Sequence, residues 1–233
     1  MKLIQKSKEL NDLQVHRGIK GTNYESFSRD IGLGDIEPPK GLRGVLLTDQ
    51  GFICAYCMKR IPHKFIEKDI VKDDFKIEHL IHQKSQESIE NKLDITYTNM
   101  LACCMGNEGQ REKYETCDTR KGKQKLTISP LTEAHIRTLK YAPDGSIVST
   151  DDNFEIEINK ILNLNEDNLK RQREAIYKFI EKVVKKEFSK PNLTRVQKNN
   201  YLDNQIKWWF SRKDGKFSEF CMVAINYLES RKR

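Results

Sequence analysis

At 233 residues the chain can hold one domain with a generous core or two small ones, and with 37% hydrophobic and 33% charged residues each part should have a modest core. A net charge of +8 and a pI near 9.1 favour a polyanionic partner or substrate, although an excess of this size also serves solubility. No run approaches the roughly 18 apolar residues of a membrane span and Met1–Lys6 has no apolar signal region, so the chain reads as cytoplasmic, where six cysteines are metal ligands or buried thiols rather than disulfides.

The first forty residues are polar and weakly periodic, and Pro38-Pro39 before Gly41 marks a loop. From Lys40 to Gln50, Leu42, Val45 and Leu46 recur at helical spacing, with Gly51 suited to a helix C-terminus. Residues 75–81 (Phe-Lys-Ile-Glu-His-Leu-Ile) read as a strand. A polar loop follows, then a second apolar stretch from Asp94 to Cys104 that contains Asn99. Residues 105–116 look like an exposed insertion, and Cys117 to Lys121 opens a helix limited by Gly122. Pro143-Asp144-Gly145 between two short apolar runs predicts a hairpin. Beyond it Leu169, Ile176, Phe179, Ile180, Val183 and Val184 form the stripe of a long basic helix from Asn165 to Lys190, with Asn165 as N-cap and Pro191 as stop. Two more helices are expected around 201–210 and 217–229. The division is therefore 1–39, an N-terminal segment and candidate partner-binding element; 40–150, a small α+β module; and 151–233, mainly helical.

Cys54-x-x-Cys57 is half of a zinc site, because two-residue spacing lets both thiolates reach one ion from a tight turn. Cys103, Cys104 and Cys117 are three candidates for the two remaining places of a tetrahedral site. A thioredoxin-like redox role needs a βαβ setting that is not visible here. Cys221, on an apolar helix, reads as a buried thiol. Glu78-His79 pairs a hard-metal ligand with an imidazole able to take a proton from water. By itself such a dipeptide is more often a structural histidine. His82 stands three residues on, and His16, His63 and His135 read as structural or surface residues.

The order CxxC, Glu78-His79, Asn99, Cys104, Cys117-Asp118-x-x-Lys121 resembles the zinc-bearing branch of the HNH endonuclease family, whose pattern selects Cys104 over Cys103. Two departures stand out: twelve residues separate the last cysteine pair, where the family has two, and Asp118 replaces the final histidine, a change carboxylate-loving Mg²⁺ accommodates. Residues 51–60, Glu78-His79 and Cys117 to Gly122 resemble more closely the HNH subunit of Septu-type and retron-associated anti-phage systems (PtuB-like), by motif over roughly 40–130.

That resemblance implies an α+β fold with a ββα-metal (HNH) core, a four-cysteine zinc knot of Cys54, Cys57, Cys104 and Cys117, and a helical C-terminal region. It implies Glu78 and Asp118 as ligands of a catalytic Mg²⁺ or Mn²⁺, His79 as general base and Asn99 as holder of the loop that presents it. It further implies a nucleic-acid substrate, DNA favoured, and an ABC/SMC-like (PtuA-like) ATPase partner in anti-phage defence. Arg120, Lys121 and Lys123, following the last ligand, are candidate phosphate contacts, or equally a basic helix end. Trp208-Trp209-Phe210 with Phe217, Phe220, Val223 and Leu228 reads most simply as core, and more sharply as a docking surface. The competing function is a non-catalytic zinc module that binds nucleic acid or a protein.

Overall fold

The computed structural model describes residues 1–31, 41–62 and 75–232; the Pro38-Pro39 loop and His63 lie outside them. The fold is mixed α+β, dominated by helices with two small sheets. Two short helices, α1 (Asn11–Gly18) and α2 (Tyr24–Asp30), occupy the segment whose periodicity was too weak to assign. Asn23 caps α2 by accepting from the Ser26 N–H while the Ser26 hydroxyl accepts from the Asn23 N–H, a reciprocal capping box. Leu13, His16 and Phe27 are buried, and Ile4 N–H donates to Pro130 O at 2.9 Å, so this segment packs onto its own chain.

Helix α3 (Gly41–Gln50) packs on strand β2 (Met100–Cys104), which pairs antiparallel with β1 (Phe75–His79), Glu78 opposite Leu101 and His79 opposite Met100. Gln50, at the end of α3, donates to Ile53 O and Ala102 O and accepts from Ala102 N–H, locking helix, cysteine turn and strand together without a buried unpaired amide. Helix α4 (Gln86–Asn91) lies in the loop between the strands, and α5 (Cys117–Lys121) follows β2 and packs on it.

After α6 (Glu133–Arg137), the expected hairpin is present as β3 (Leu139–Tyr141) and β4 (Ile147–Ser149), followed by α7 (Asp152–Ile156) and a π-helical turn, Glu157–Ile161. That turn aims the Glu157 carboxylate at Thr127 N–H and Oγ1 and at Ile128 N–H, which ties the sheet module to the helices behind it. Helices α8 (Asp167–Phe188), α9 (Arg195–Phe210) and α10 (Cys221–Arg231) complete the chain, with α10 packed against both others and against β3. One apolar cluster runs through all of it.

Three expectations need correction. The N-cap of α8 is Glu166, accepting from Asn168 and Leu169 N–H; Asn165 instead brackets Ile147, accepting its N–H and donating to its carbonyl, because the strand edge there would otherwise be unpaired. Phe179 leaves the apolar stripe and is exposed, whereas Leu169, Ile180 and Val184 are buried. At about 100° per residue the centre of that stripe carries Arg173, fully buried, donating to Gly145 O at 2.6 Å and Leu164 O at 2.7 Å. Finally, Trp209, Phe217, Phe220, Val223 and Leu228 are core as read, but Trp208 and Phe210 are exposed. Among the described residues no helix is long and apolar enough to cross a membrane.

Candidate active site and metal centre

The Cys54–Cys57 turn forms because Met58 takes a left-handed conformation (φ 64°), letting Met58 N–H reach Cys54 O while Lys59 N–H donates to Cys57 Sγ. Both thiols then face one point. Cys104 ends β2 and arrives from the other side. Cys117 is brought back to it although twelve residues intervene, because the insertion is pinched at its base. Thr116 N–H donates to Gly106 O, and Thr119 Oγ1 donates to Met105 O. Gly106 is required there: a Cβ would sit 2.1 Å from Thr116 O, and its φ is positive. Glu108 to Tyr114 project as the exposed part of the loop.

The four sulfurs lie within 4.8 Å of one another. Cys54–Cys117 and Cys104–Cys117 are separated by 3.8 Å and Cys57–Cys104 by 3.7 Å. Tetrahedral zinc with bonds of about 2.3 Å requires sulfurs about 3.8 Å apart, so these thiols fit a structural metal such as zinc. Contact with the Cys104 thiol pushes the Cys57 and Cys117 pKa values up; four crowded thiolates need a cation to share. Cys103, one residue before Cys104, is not one of the four, although its buried thiol touches that of Cys54, and Cys221 is buried elsewhere.

On the other flank of β1, a cleft of about 260 Å³ is lined by Lys76, Glu78, His79, His82, Asp118 and Lys123 among others. His79 is nearly buried. Its Nε2 donates to Asp94 O at 2.9 Å, leaving the Nδ1 lone pair uncommitted, and the Tyr24 ring stands edge-on to it at 4.8 Å. Burial holds the imidazole pKa below its ordinary 6.5, so the ring is neutral near pH 7.

Glu78 is buried, and its Oε1 accepts from Tyr56 OH at 2.8 Å and from Lys121 Nζ at 2.7 Å. Burial, then the Asp118 carboxyl beside it, drives the Glu78 pKa well up. Both strong donors occupy one oxygen, so the second is the one left to share with Asp118. Asn99 secures the loop after β1, with Oδ1 accepting from Ile81 N–H at 2.8 Å and Nδ2 donating to Ile81 O and Leu93 O, each at 2.9 Å.

The structure separates the three basic residues grouped as phosphate contacts. Lys121 is a correction: its side chain is 1% exposed and its ammonium is spent on Glu78 and on His79 O, so it faces inward. Arg120 pairs with Glu112 on the insertion, while Lys123 lines the cleft. His82 borders the cleft, its pKa lowered by desolvation and then by Lys123. His16 bonds Ser26 Oγ, and His135 Nδ1 accepts from Ser129 N–H; both are structural. Sequence reasoning passed over Tyr56, Asp94 and Tyr24. Tyr56 had a signal, as the bulky residue inside the CxxC; the other two had none, since they come into range only through the fold.

No protein-family model matches the chain, and no curated protein sequence matches it.

Proposed function

We propose that the chain is a metal-dependent HNH-type endonuclease, in which β1, β2 and α5 form the ββα-metal unit and the four cysteines bind zinc as its structural clamp. The supporting observation is the arrangement around His79: a neutral imidazole with one nitrogen committed to Asp94 O, beside two neighbouring carboxylates, at a cleft edged with lysine. Glu78 and Asp118 would hold Mg²⁺ or Mn²⁺. Two carboxyls crowded into a largely buried setting are the donor set a hard divalent ion takes, and such an ion supplies Lewis-acid stabilisation of the phosphorane charge and the leaving oxygen.

In this reading His79 Nδ1 removes a proton from water as the water oxygen bonds to phosphorus, and the P–O3′ bond breaks. Asp94 O holds the imidazole orientation and stabilises the imidazolium that forms. Asn99 keeps the loop at Ile81 in place, and Lys123 and Lys76 attract the phosphate backbone. The motif resemblance supports DNA as the favoured substrate, an ABC/SMC-like ATPase partner and a role in anti-phage defence.

One observation favours the alternative, a non-catalytic zinc module: Glu78 is neutralised internally by Lys121, as a purely structural carboxylate would be. Cleavage of plasmid DNA and of RNA with Mg²⁺ or Mn²⁺, with and without the partner ATPase, comparing the native chain with His79→Ala, decides between them. Activity abolished in the variant supports the nuclease; equal activity in both removes His79 from the chemistry.

A further inference from the structure

The end of α9 and the loop behind it carry an arrangement that the cleft does not use. Trp208 and Phe210, 45% and 43% exposed, flank Trp209, which is buried. Burial of the middle ring anchors the helix end, so the outer two are displayed on a fixed support. Cations lie against the aromatic rings: Lys213 Nζ is 3.3 Å from the Trp208 ring centre, Lys2 Nζ is 4.1 Å from Phe217 and 5.9 Å from Phe210, and Arg212 Cζ is 4.6 Å from Phe217.

The support is rigid. Arg212 donates to Thr48 O at 2.6 Å and Asp49 O at 2.9 Å, fastening the loop to α3. Lys213 and Lys216 exchange both backbone hydrogen bonds at 2.9 Å around Asp214-Gly215, whose positive φ values close a tight hairpin turn. Among the described residues no carboxylate forms an ion pair with Lys2, Lys207, Arg212 or Lys213. Asp214 is the single acid between Lys207 and Lys216.

We propose that this surface, built on Trp208, Phe210 and Lys213 with Lys207 and Arg212, docks single-stranded nucleic acid outside the His79 cleft. Displayed aromatic faces suit unpaired bases, and uncompensated cations suit the phosphates between them. A duplex hides its base faces and offers only the charge. An acidic protein would use the charge but has no need of two displayed rings. The proposal deepens the nuclease reading by naming the form of the substrate, yet binding here needs neither His79 nor a catalytic ion.

The chain has two tryptophans, one exposed and one buried, so emission from Trp208 reports stacking directly. The test uses the full-length His79→Ala chain titrated with oligo(dT), the matching duplex and polyglutamate, followed by tryptophan emission and by anisotropy of labelled oligonucleotide. Oligo(dT) should quench emission and bind more tightly than the other two ligands. Trp208→Leu and Lys213→Glu should each weaken it about tenfold, the second also lowering the slope of log K against log salt by about 0.7. Both positions are exposed, and unchanged circular dichroism will show that the variants fold. Unquenched emission, equal affinity in both variants, or duplex or polyglutamate binding as tight as oligo(dT) would overturn the proposal. This binding together with no cleavage by the native chain, tested with Mg²⁺ or Mn²⁺ and the partner ATPase, would count against the nuclease reading alone.

Discussion

Lys121 Nζ lies 2.7 Å from Glu78 Oε1, and the two side chains are 1% and 2% exposed. An ion pair sealed this completely is held by geometry on both sides: Tyr56 OH binds the same carboxylate oxygen, and His79 O accepts a second bond from the ammonium. Removing Lys121 strips the buried Glu78 carboxyl and the His79 carbonyl of their shared donor, at a cost of about 1–3 kcal/mol. Lys121→Met should therefore lower the unfolding free energy by about 1–3 kcal/mol in urea titration. Lys123→Ala should leave stability unchanged and weaken nucleic-acid binding in a salt-dependent way.

His79→Ala should reduce phosphodiester cleavage by about 10²–10⁴, the worth of one positioned general base. Far-UV circular dichroism should be unchanged, because the imidazole's hydrogen bond ends on a backbone carbonyl, Asp94 O, and the substitution leaves the β1–β2 backbone pairing intact. Residual cleavage equal to the native rate would exclude the imidazole as base.

The pH dependence follows from the same residue. Burial lowers the folded-state pKa of His79 below 6.5, so the unfolded chain takes up this proton first as pH falls. Its protonation thus favours unfolding: stability is fully present above pH 6.5 and declines as pH drops below it. The rate profile should follow the folded-state value, with its acid limb below 6.5 and none near 7. A rate already falling between pH 8 and 7 would contradict the assignment.

Cys54→Ser should lose bound zinc and the folded state together, since the energy of a structural tetrathiolate site, about 10–16 kcal/mol in small modules, is folding energy. Cys103→Ser should keep about one zinc per chain by metal analysis, because its sulfur lies outside the cluster. Zinc lost equally in both would mean that the observed grouping is not the ligand set.

Arg173→Met should destabilise the chain by about 2–3 kcal/mol in the same urea experiment. The guanidinium holds the β3–β4 turn at Gly145 and the segment entering α8 at Leu164, and its loss strands two buried carbonyls.

Local chemistry carried much of this in the sequence itself. Short-range patterns require only neighbours: the CxxC turn, the apolar alternation and turn signal of the hairpin, the helical spacing from Leu42 to Leu46, and the stripe of Leu169, Ile180 and Val184 were all legible. Spacing gave the Cys54–Cys57 half of the cysteine cluster and left three candidates for the other half, of which the HNH resemblance picked Cys104 and Cys117. Three things were decided only by tertiary structure. Cys117 reaches Cys104 through the pinch at Gly106 and Thr116, a closure between residues ten apart that no periodicity encodes. Arg173 lies inside an apolar stripe because carbonyls from two other segments meet it there. Lys121 looks like a surface cation in any linear reading; it is internal because α5 packs on β2 with its last turn over Glu78, where desolvation is offset by a carboxylate more than forty residues away in sequence. Half of the four-cysteine cluster was thus written in local spacing, while the partners of the carboxylate beside His79 were set by the packing of one short helix.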